Sequence, residues 1–167
     1  MLSVFTRENL LSLLDGLKLT LLISGISILL SMVLGTALAV VKHYKVFIAG
    51  KIASVYIDIF RNTPLLLWIL IIRFLVPIPA VQGGILSFTL FTSAMIAEIV
   101  RAGLNSIDQG IVEAAVSQGF TTAQSLIYII LPQVFRNIVP ALLSQVITTI
   151  KDSSYLWAVA IEEFTGK

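Results

Sequence analysis

Apolar residues in this chain are gathered in long uncharged runs separated by shorter polar stretches. The first run covers residues 19–41, which contain no charged side chain. As an α-helix it would be about 34 Å long at 1.5 Å per residue, and the hydrocarbon core of a bilayer is about 30 Å thick. The pattern therefore predicts a membrane span. A cleaved signal peptide is the alternative, but its apolar core would have only roughly 7–15 residues, so we favour a retained span.

Three further apolar runs predict three more spans. They cover residues 52–76, 85–103 and 135–161. In the second run, the step from Thr63 to Pro64 resembles a helix start, where proline needs no backbone donor. Two placements stay open for residues 51–61: within the span, or at the membrane interface with the membrane helix starting at Pro64.

Residues 105–132 form a polar-to-amphipathic loop between the third and fourth spans. Apolar residues at spacings of three and four predict a short helix with one apolar stripe. These residues are Ile107, Ile111, Ala114 and Ala115. Gly119 can adopt a positive φ and let two helices meet at a sharp angle. Thr121 and Gln124 match a capping box for a second helix, which Pro132 should stop from continuing. The loop is either a plain interfacial hairpin or a surface that binds a partner.

The composition agrees with a membrane protein. Hydrophobic residues make up 57% of the chain, charged residues 12%, and the mean hydropathy is +1.01. A soluble domain of this size cannot bury so much apolar surface. The net charge of +2 is small and scattered, which argues against a nucleic-acid partner. The absence of cysteine and the single histidine exclude disulfides, thiol catalysis and a multi-histidine metal site.

The basic residues predict the orientation. Three lysines follow the first span, at positions 42, 45 and 51, whereas residues 77–88 carry no charge. Cytoplasmic loops are enriched in lysine and arginine, so the loop after the first span is predicted to be cytoplasmic. Counting spans then places the turn at 77–84 outside, the loop at 105–132 inside, and both ends of a four-span chain outside.

Charged residues within the last predicted span are candidates for function. Lys151 and Asp152 fall inside it, and Ser153 adds a hydroxyl. A charge at membrane depth costs at least ~2.5–3.5 kcal/mol unless it faces protein or water. These residues either line a translocation path for a zwitterion or end the helix at the outer interface, with the lysine snorkelling.

Two further pairs of charged residues stand three positions apart. Glu98 and Arg101 on the third span either form a structural ion pair or belong to the same path. Asp58 and Arg61 near the second span are expected to form a stabilising pair with each other. No arrangement of residues suggests a catalytic site.

A spaced pattern in the loop resembles that of a known family. Glu113-Ala114-Ala115 is followed after three residues by Gly119, and Leu131-Pro132 closes the pattern. This is similar to the EAA motif of ATP-binding-cassette (ABC) importer permeases. Other segments also resemble the polar amino-acid permeases, the group for histidine, glutamate, glutamine and arginine. These segments are IFRNTPLLL at 59–67, SAMIAEIVRAGLNSI at 93–107 and KDSSYLWAVA at 151–160.

The resemblance extends from about residue 10 to 166 and implies an all-α, polytopic transmembrane bundle of the type I importer permease kind. It implies a multi-pass location in the cytoplasmic membrane and a loop that seats on a cytoplasmic ATPase dimer. The coupling residues would be Glu113, Ala114, Ala115, Gly119, Leu131 and Pro132. A second permease copy or a sister permease, and an extracytoplasmic amino-acid-binding protein, are the other implied partners. The chain has no glycine-rich phosphate loop, so ATP would be bound by the partner.

One departure from the family and two other functions bear on this interpretation. Family members usually have about five spans and continue past the position of Lys167, so the last helix is expected to be missing here. An intramembrane enzyme would need converging nucleophile, base and metal groups. An uncoupled structural or channel subunit would not retain an ATPase through residues 113–119.

Overall fold

The computed structural model describes residues 7–44 and 47–159, with the side chains of 7–10, 12 and 157–159 left out. This part of the chain is helical, with no β-strand. The α-helices are α1 (Arg7–His43), α2 (Phe47–Arg61), α3 (Leu65–Leu75), α4 (Ala80–Asn105), α5 (Gln109–Ser117), α6 (Thr122–Ser125) and α7 (Leu131–Asp152). A π-helical turn, Leu126–Ile130, joins α6 to α7, and a 3-10 helix, Ser153–Val159, follows α7.

Three stretches of helix are long and apolar enough to cross a membrane. They are Leu13–His43, Ala80–Asn105 and Thr122–Leu156, and the bent pair of α2 and α3 brings the number to four if it counts as one span. Large apolar side chains are exposed along them, with Leu29 at 67% and Val33 at 74%. We expect these exposed side chains to face lipid, because a soluble monomer rarely exposes wide apolar patches to water.

The predicted second span, 52–76, is not one straight helix. α2 and α3 meet at 103°, because the ring of Pro64 disfavours helical geometry at Thr63. Trp68 stabilises this bend, which we call the elbow: its Nε1 donates to Thr63 Oγ1 at 2.6 Å. The ring of Trp68 also stacks on Phe60 with centroids 4.2 Å apart. Of the two placements left open by the sequence, this geometry favours a separate α2, with α3 beginning directly after Pro64.

Small residues bring α1 and α4 together along most of their length. Ser27 Oγ donates to the carbonyl of Ile85 at 3.2 Å, and Ser31 Oγ to that of Thr89 at 3.0 Å. One turn further on, a Cβ added to Gly35 would lie 2.7 Å from the Ser93 carbonyl oxygen. The constant offset shows that the two helices run parallel. Small residues at intervals of four allow such close approach of membrane helices.

α7 packs against α4 in the opposite direction. Thr92 and Thr149 hydroxyls lie 3.4 Å apart, and Asn137 Nδ2 donates to Ser106 Oγ at 3.0 Å. Later residues of α4 therefore contact earlier residues of α7, so the two helices are antiparallel. Two buried clusters hold the bundle. One comprises Ile23, Leu65, Ile69, Phe88 and Leu156, and the other comprises Ala39, Ile57, Ile96, Ala97, Val100, Val134 and Ile138.

The prediction that Pro132 ends the second loop helix is wrong. The helix continues from Thr122 to Leu156. In the π turn before the proline, the amide of Leu131 donates to the carbonyl of Leu126, five residues back. Pro132 thus falls in the first turn of α7, where the missing backbone N–H is tolerated. The helix that contains the fourth span thus begins well before the predicted residue 135, and residues 160–161 lie outside the described part of the chain.

Candidate functional site

A polar stripe runs along α7. With 100° between successive helical residues, its members fall within a sector about 100° wide. The polar members are Asn137, Ser144, Thr148, Lys151 and Asp152, and the small residue Ala141 lies among them on the same sector. All are exposed except Asp152, which is half-buried, while Ile138 and Thr149 on the neighbouring sector are buried against the bundle. Polar groups on a membrane span face protein or water rather than lipid, so this stripe indicates a wet or partnered surface.

The C-terminal end of the stripe lies where α7 changes into the 3-10 helix. Ser153, the first residue of the 3-10 helix, is 2% exposed and its Oγ donates to the carbonyl of Ile150 at 2.8 Å. Leu156, fully buried, anchors the 3-10 helix in the core beside Ile23. The change of helix type therefore separates the three predicted residues: Lys151 and Asp152 lie on the stripe, and Ser153 faces the bundle.

Glu98, on α4, forms ion pairs with cations from three helices. Arg101 donates to both carboxylate oxygens, at 2.7 Å from Nη2 to Oε2 and 3.0 Å from Nε to Oε1. Lys42 Nζ donates to Oε1 at 2.9 Å, and Arg61 Nη1 lies 3.4 Å from Oε2. The carboxylate of Glu98 is 15% exposed. Bidentate and charge-assisted contacts of this kind are among the stronger hydrogen bonds in proteins.

This cluster contains one predicted pair and corrects another. The Glu98–Arg101 pair is present as expected from its spacing. Arg61 was expected to pair with Asp58 but contacts Glu98 instead, because the end of α2 is folded against α4. Lys42 was not anticipated, since it is 56 residues from Glu98 and no local pattern signals such a contact.

A cavity of about 490 Å³ opens beside this cluster, between the ends of α2, α4 and α7. Its polar lining residues are Arg61, Glu98, Ser106 and Asn137. Apolar residues complete the lining, namely Ile99, Ala102, Gly103, Ile138 and Ala141. Asn137 and Ala141 belong to the stripe, so the stripe leads into the cavity.

The two groups of predicted path residues are therefore not brought together. Asp152 lies fifteen positions beyond Asn137 on α7, which is roughly 22 Å along the helix axis. The polar stripe runs from Asp152 to Asn137, and Asn137 lines the cavity together with Glu98. Sequence reasoning missed Asn137, Ser144 and Thr148, although their spacing of three to seven residues on a predicted span is a signal that could have identified them.

The cytoplasmic loop forms two helices joined by a glycine turn. Gly119 has φ of +85°, its amide donates to the Val116 carbonyl at 2.9 Å, and the Phe120 amide donates to the Ala115 carbonyl at 3.1 Å. These two bonds form a Schellman motif, in which glycine tolerates the left-handed conformation. The capping box of Thr121 and Gln124 is present. The positive φ of Gly119 and the capping box are confirmed.

The coupling residues expected from the family lie on two parts of this loop. Glu113 and Ala114 are exposed on α5, whereas Ala115 is 4% exposed and faces inward. The apolar stripe predicted to include both alanines is therefore wrong at Ala114, which lies 100° away from Ala115 on the helix. Leu131 and Pro132 are exposed at the start of α7. Glu113, Ala114 and Gly119 thus form an outward surface, which we call the loop surface.

The described residues do not offer the group of ligands that a metal-binding site requires. Within residues 7–44 and 47–159, no three histidine, cysteine or acidic residues form a group able to hold a metal ion.

Comparison with known proteins identifies relatives over nearly the whole chain. Residues 18–161 match the family described as binding-protein-dependent transport system inner membrane component. A probable glutamine ABC transporter permease protein, GlnP, from Bacillus subtilis (strain 168) is 36% identical over 167 residues, covering 97% of this chain and 77% of the relative. The arginine transport system permease protein ArtQ of the same organism is 35% identical, with coverage of 89% and 70%.

A solved structure has the same fold. The crystal structure of an amino acid ABC transporter with histidines aligns with a TM-score of 0.87 and 32% identity, covering 95% of this chain and 76% of that one. The predicted all-α importer-permease bundle is confirmed. The relatives support this assignment over an intramembrane enzyme or an uncoupled structural subunit.

Proposed function

We propose, from the premise that this chain belongs to the family of binding-protein-dependent transport system inner membrane components, that it passes polar amino acids along the stripe on α7. The chain is a multi-pass cytoplasmic membrane protein and a permease subunit of an ABC importer, not itself an enzyme. Such permeases work with a separate ATPase subunit and with a substrate-binding protein.

The polar stripe is the observation that carries the proposed path. On this hypothesis the stripe faces the water-filled route, which in the complete importer lies between this subunit and a second copy or a sister permease. The half-buried Asp152 would contact the positive group of a zwitterion, Lys151 would face the same route, and Ser153 would fix the helix change that places them. Glu98 and Arg101 would act at the cytoplasmic end, holding the positions of the neighbouring cations.

Polar amino acids are the substrate class that this arrangement suits. A zwitterion offers an ammonium group for Asp152 and a carboxylate for a cation, and the stripe supplies hydroxyls and an amide between them. The relatives named for glutamine and arginine belong to the same class.

The loop surface is proposed to seat on two cytoplasmic ATPases, one for each permease half. Glu113 would accept hydrogen bonds from the ATPase, and Ala114 would allow close approach. Ala115, buried on the inner side of α5, would allow close packing there because its side chain is small. Gly119 would fix the angle between α5 and α6. Leu131 and Pro132 would connect this surface to α7. ATP-driven closure of the ATPases would thereby move α7 and its stripe as one lever.

The path is tested by neutralising Asp152 in the importer reconstituted with its ATPase and binding protein. Uptake of L-glutamine, L-glutamate, L-arginine and L-histidine is measured in proteoliposomes. Asp152→Asn should slow uptake of the transported amino acid by roughly 10- to 150-fold, because a hydrogen bond to a charged group contributes ~1.5–3 kcal/mol. Basal ATP hydrolysis should persist, since the loop surface is untouched.

The matched control is Asp58→Asn, which removes an exposed carboxylate on α2. This variant should transport at the wild-type rate. Unchanged uptake by Asp152→Asn would remove Asp152 from the path. Failure of the wild-type complex to take up any of the four amino acids would contradict the proposed substrate class.

A further inference from the structure

The cluster around Glu98 has more positive charge than its single carboxylate neutralises. Lys42, Arg61 and Arg101 surround it, three positive charges against one negative, for a formal surplus of +2. Lys42 and Arg101 satisfy the carboxylate with hydrogen bonds. Arg61 lies within ion-pair distance only, and among the described residues its guanidinium makes no hydrogen bond. Its five N–H donors remain available.

Arg61 also has the access that a binding residue needs. Its side chain is 45% exposed, compared with 20% for Lys42 and 33% for Arg101, and it lines the cavity of about 490 Å³. Two other residues of the cavity lining are hydrogen-bonded to each other: Asn137 Nδ2 donates to Ser106 Oγ at 3.0 Å, and Ser106 Oγ donates to the Gly103 carbonyl at 2.8 Å. The second N–H of the Asn137 amide is left as a further donor in the cavity lining.

The position of the cavity indicates which anion it would bind. It lies at the end of the polar stripe opposite Asp152, and two stripe residues, Asn137 and Ala141, form part of its wall. A molecule that moves along the stripe from Asp152 therefore arrives beside Arg61. The apolar side chains of Ile99 and Ile138, which also line the cavity, can pack against the carbon skeleton of a small solute.

We propose that this cavity is an exit subsite that binds the α-carboxylate of the amino acid on its way to the cytoplasm. Arg61 forms a forked contact with the carboxylate, and Asn137, which lines the same cavity, donates a further hydrogen bond. Glu98 is a positioning residue, which holds Arg61 at the cavity without contacting the substrate. The inference rests on the proposed function, because it needs an amino acid in transit, but it concerns a site whose α7 residues Asn137 and Ala141 lie roughly 16–22 Å along the helix from Asp152.

The absence of cysteine from the chain makes a direct test possible. Ser106→Cys places a single thiol in the cavity, and Ser117→Cys places one on the exposed face of α5. The complete importer is assembled in nanodiscs of phosphatidylcholine without ATP, and alkylation of this chain by N-ethylmaleimide is followed by gel. L-Glutamine, L-glutamate and L-arginine are the probes, with L-glutaminamide as the control that lacks the carboxylate. Uptake by the same complexes is measured in proteoliposomes.

The transported amino acid should slow alkylation at position 106 roughly threefold or more at saturation, in line with simple occupancy. The amide should not, and the thiol at position 117 should be unaffected. Arg61→Gln should abolish the protection, Arg61→Lys should restore part of it through its retained charge, and Arg73→Gln, which removes a separate exposed arginine, should leave it intact.

Two results would overturn the exit subsite. One is uptake by the wild type without protection at position 106, which leaves the proposed function standing. The other is protection produced by adding phosphatidylglycerol to the nanodiscs and insensitive to amino acids, which would assign the cavity to a lipid phosphate. Absence of uptake by the wild type would instead contradict the proposed function itself.

Discussion

Two glutamates in this chain have opposite surroundings, and their substitution should therefore have opposite consequences. Glu98 is 15% exposed and contacts three cations, whereas Glu113 is exposed on α5. Glu98→Gln leaves those cations without a counter-charge, and removal of one partner from a buried ion pair is strongly destabilising. We expect a loss of about 2–3 kcal/mol, less than for a fully buried pair because Arg61 and Arg101 can reach solvent. The melting temperature of the purified importer measures this.

Glu113→Gln is the matched control for that experiment. It should leave the melting temperature unchanged but reduce the amount of ATPase that copurifies with the permease. Glu98→Gln should show the reverse, with the ATPase retained at temperatures where the variant stays folded. Equal melting temperatures for wild type and Glu98→Gln would show that the cluster contributes little to stability. Normal ATPase retention by Glu113→Gln would remove Glu113 from the loop surface.

At the scale of single elements, the turn between α5 and α6 depends on one backbone conformation. Gly119 has φ of +85°, and no atom lies within 4 Å of where its Cβ would be. A larger side chain therefore has room, and only the left-handed backbone opposes it, at roughly 1–2 kcal/mol. Gly119→Val should open the turn and uncouple ATP hydrolysis from uptake. Gly119→Asn should keep coupling, because asparagine tolerates this conformation.

The measurement is the number of amino acids taken up per ATP hydrolysed in proteoliposomes. Both variants should insert normally, since the turn belongs to a polar loop outside the spans. If Gly119→Val transports with the wild-type ratio, the angle between the two loop helices is not what transmits the ATPase movement. If Gly119→Asn is as uncoupled as Gly119→Val, the open space beside the glycine matters rather than its backbone.

Elements set by local patterns were predictable, and those set by distant contacts were not. The uncharged run at 19–41, the capping box at Thr121 and the glycine turn at 119 each follow from neighbouring residues. The 103° elbow of α2 and α3 was only partly foreseen, because Pro64 marks a break but not the direction of the next helix. Pro132 was misjudged since the π turn before it shifts the hydrogen bonding of the helix. The contact of Lys42 with Glu98 spans 56 residues and depends on how α1 meets α4.

For the molecule as a whole, the helix directions place on one side of the bundle the helix ends that the lysines predict to be cytoplasmic. α1 and α4 run parallel and α7 runs against them, so the ends of α1 and α4 and the start of α7 share one side. That side carries the Glu98 cluster and the loop surface. The turn at 77–84 lies at the opposite ends of the same helices. The proposed ATPase partner is cytoplasmic, so the side that carries the loop surface must also be cytoplasmic.

This orientation can be tested with single thiols, again because the chain contains no cysteine. Gln82 and Gln118 are both exposed and lie at opposite ends of the bundle. A membrane-impermeant maleimide should label Gln82→Cys in right-side-out vesicles and Gln118→Cys only in inverted ones. With the ATPase bound, labelling at position 118 should slow while labelling at position 82 should not, because only the loop surface is covered. A thiol at position 118 that reacted from outside would place the loop surface away from the ATPase, and neither the lever movement of α7 nor the cytoplasmic exit beside Arg61 could then hold.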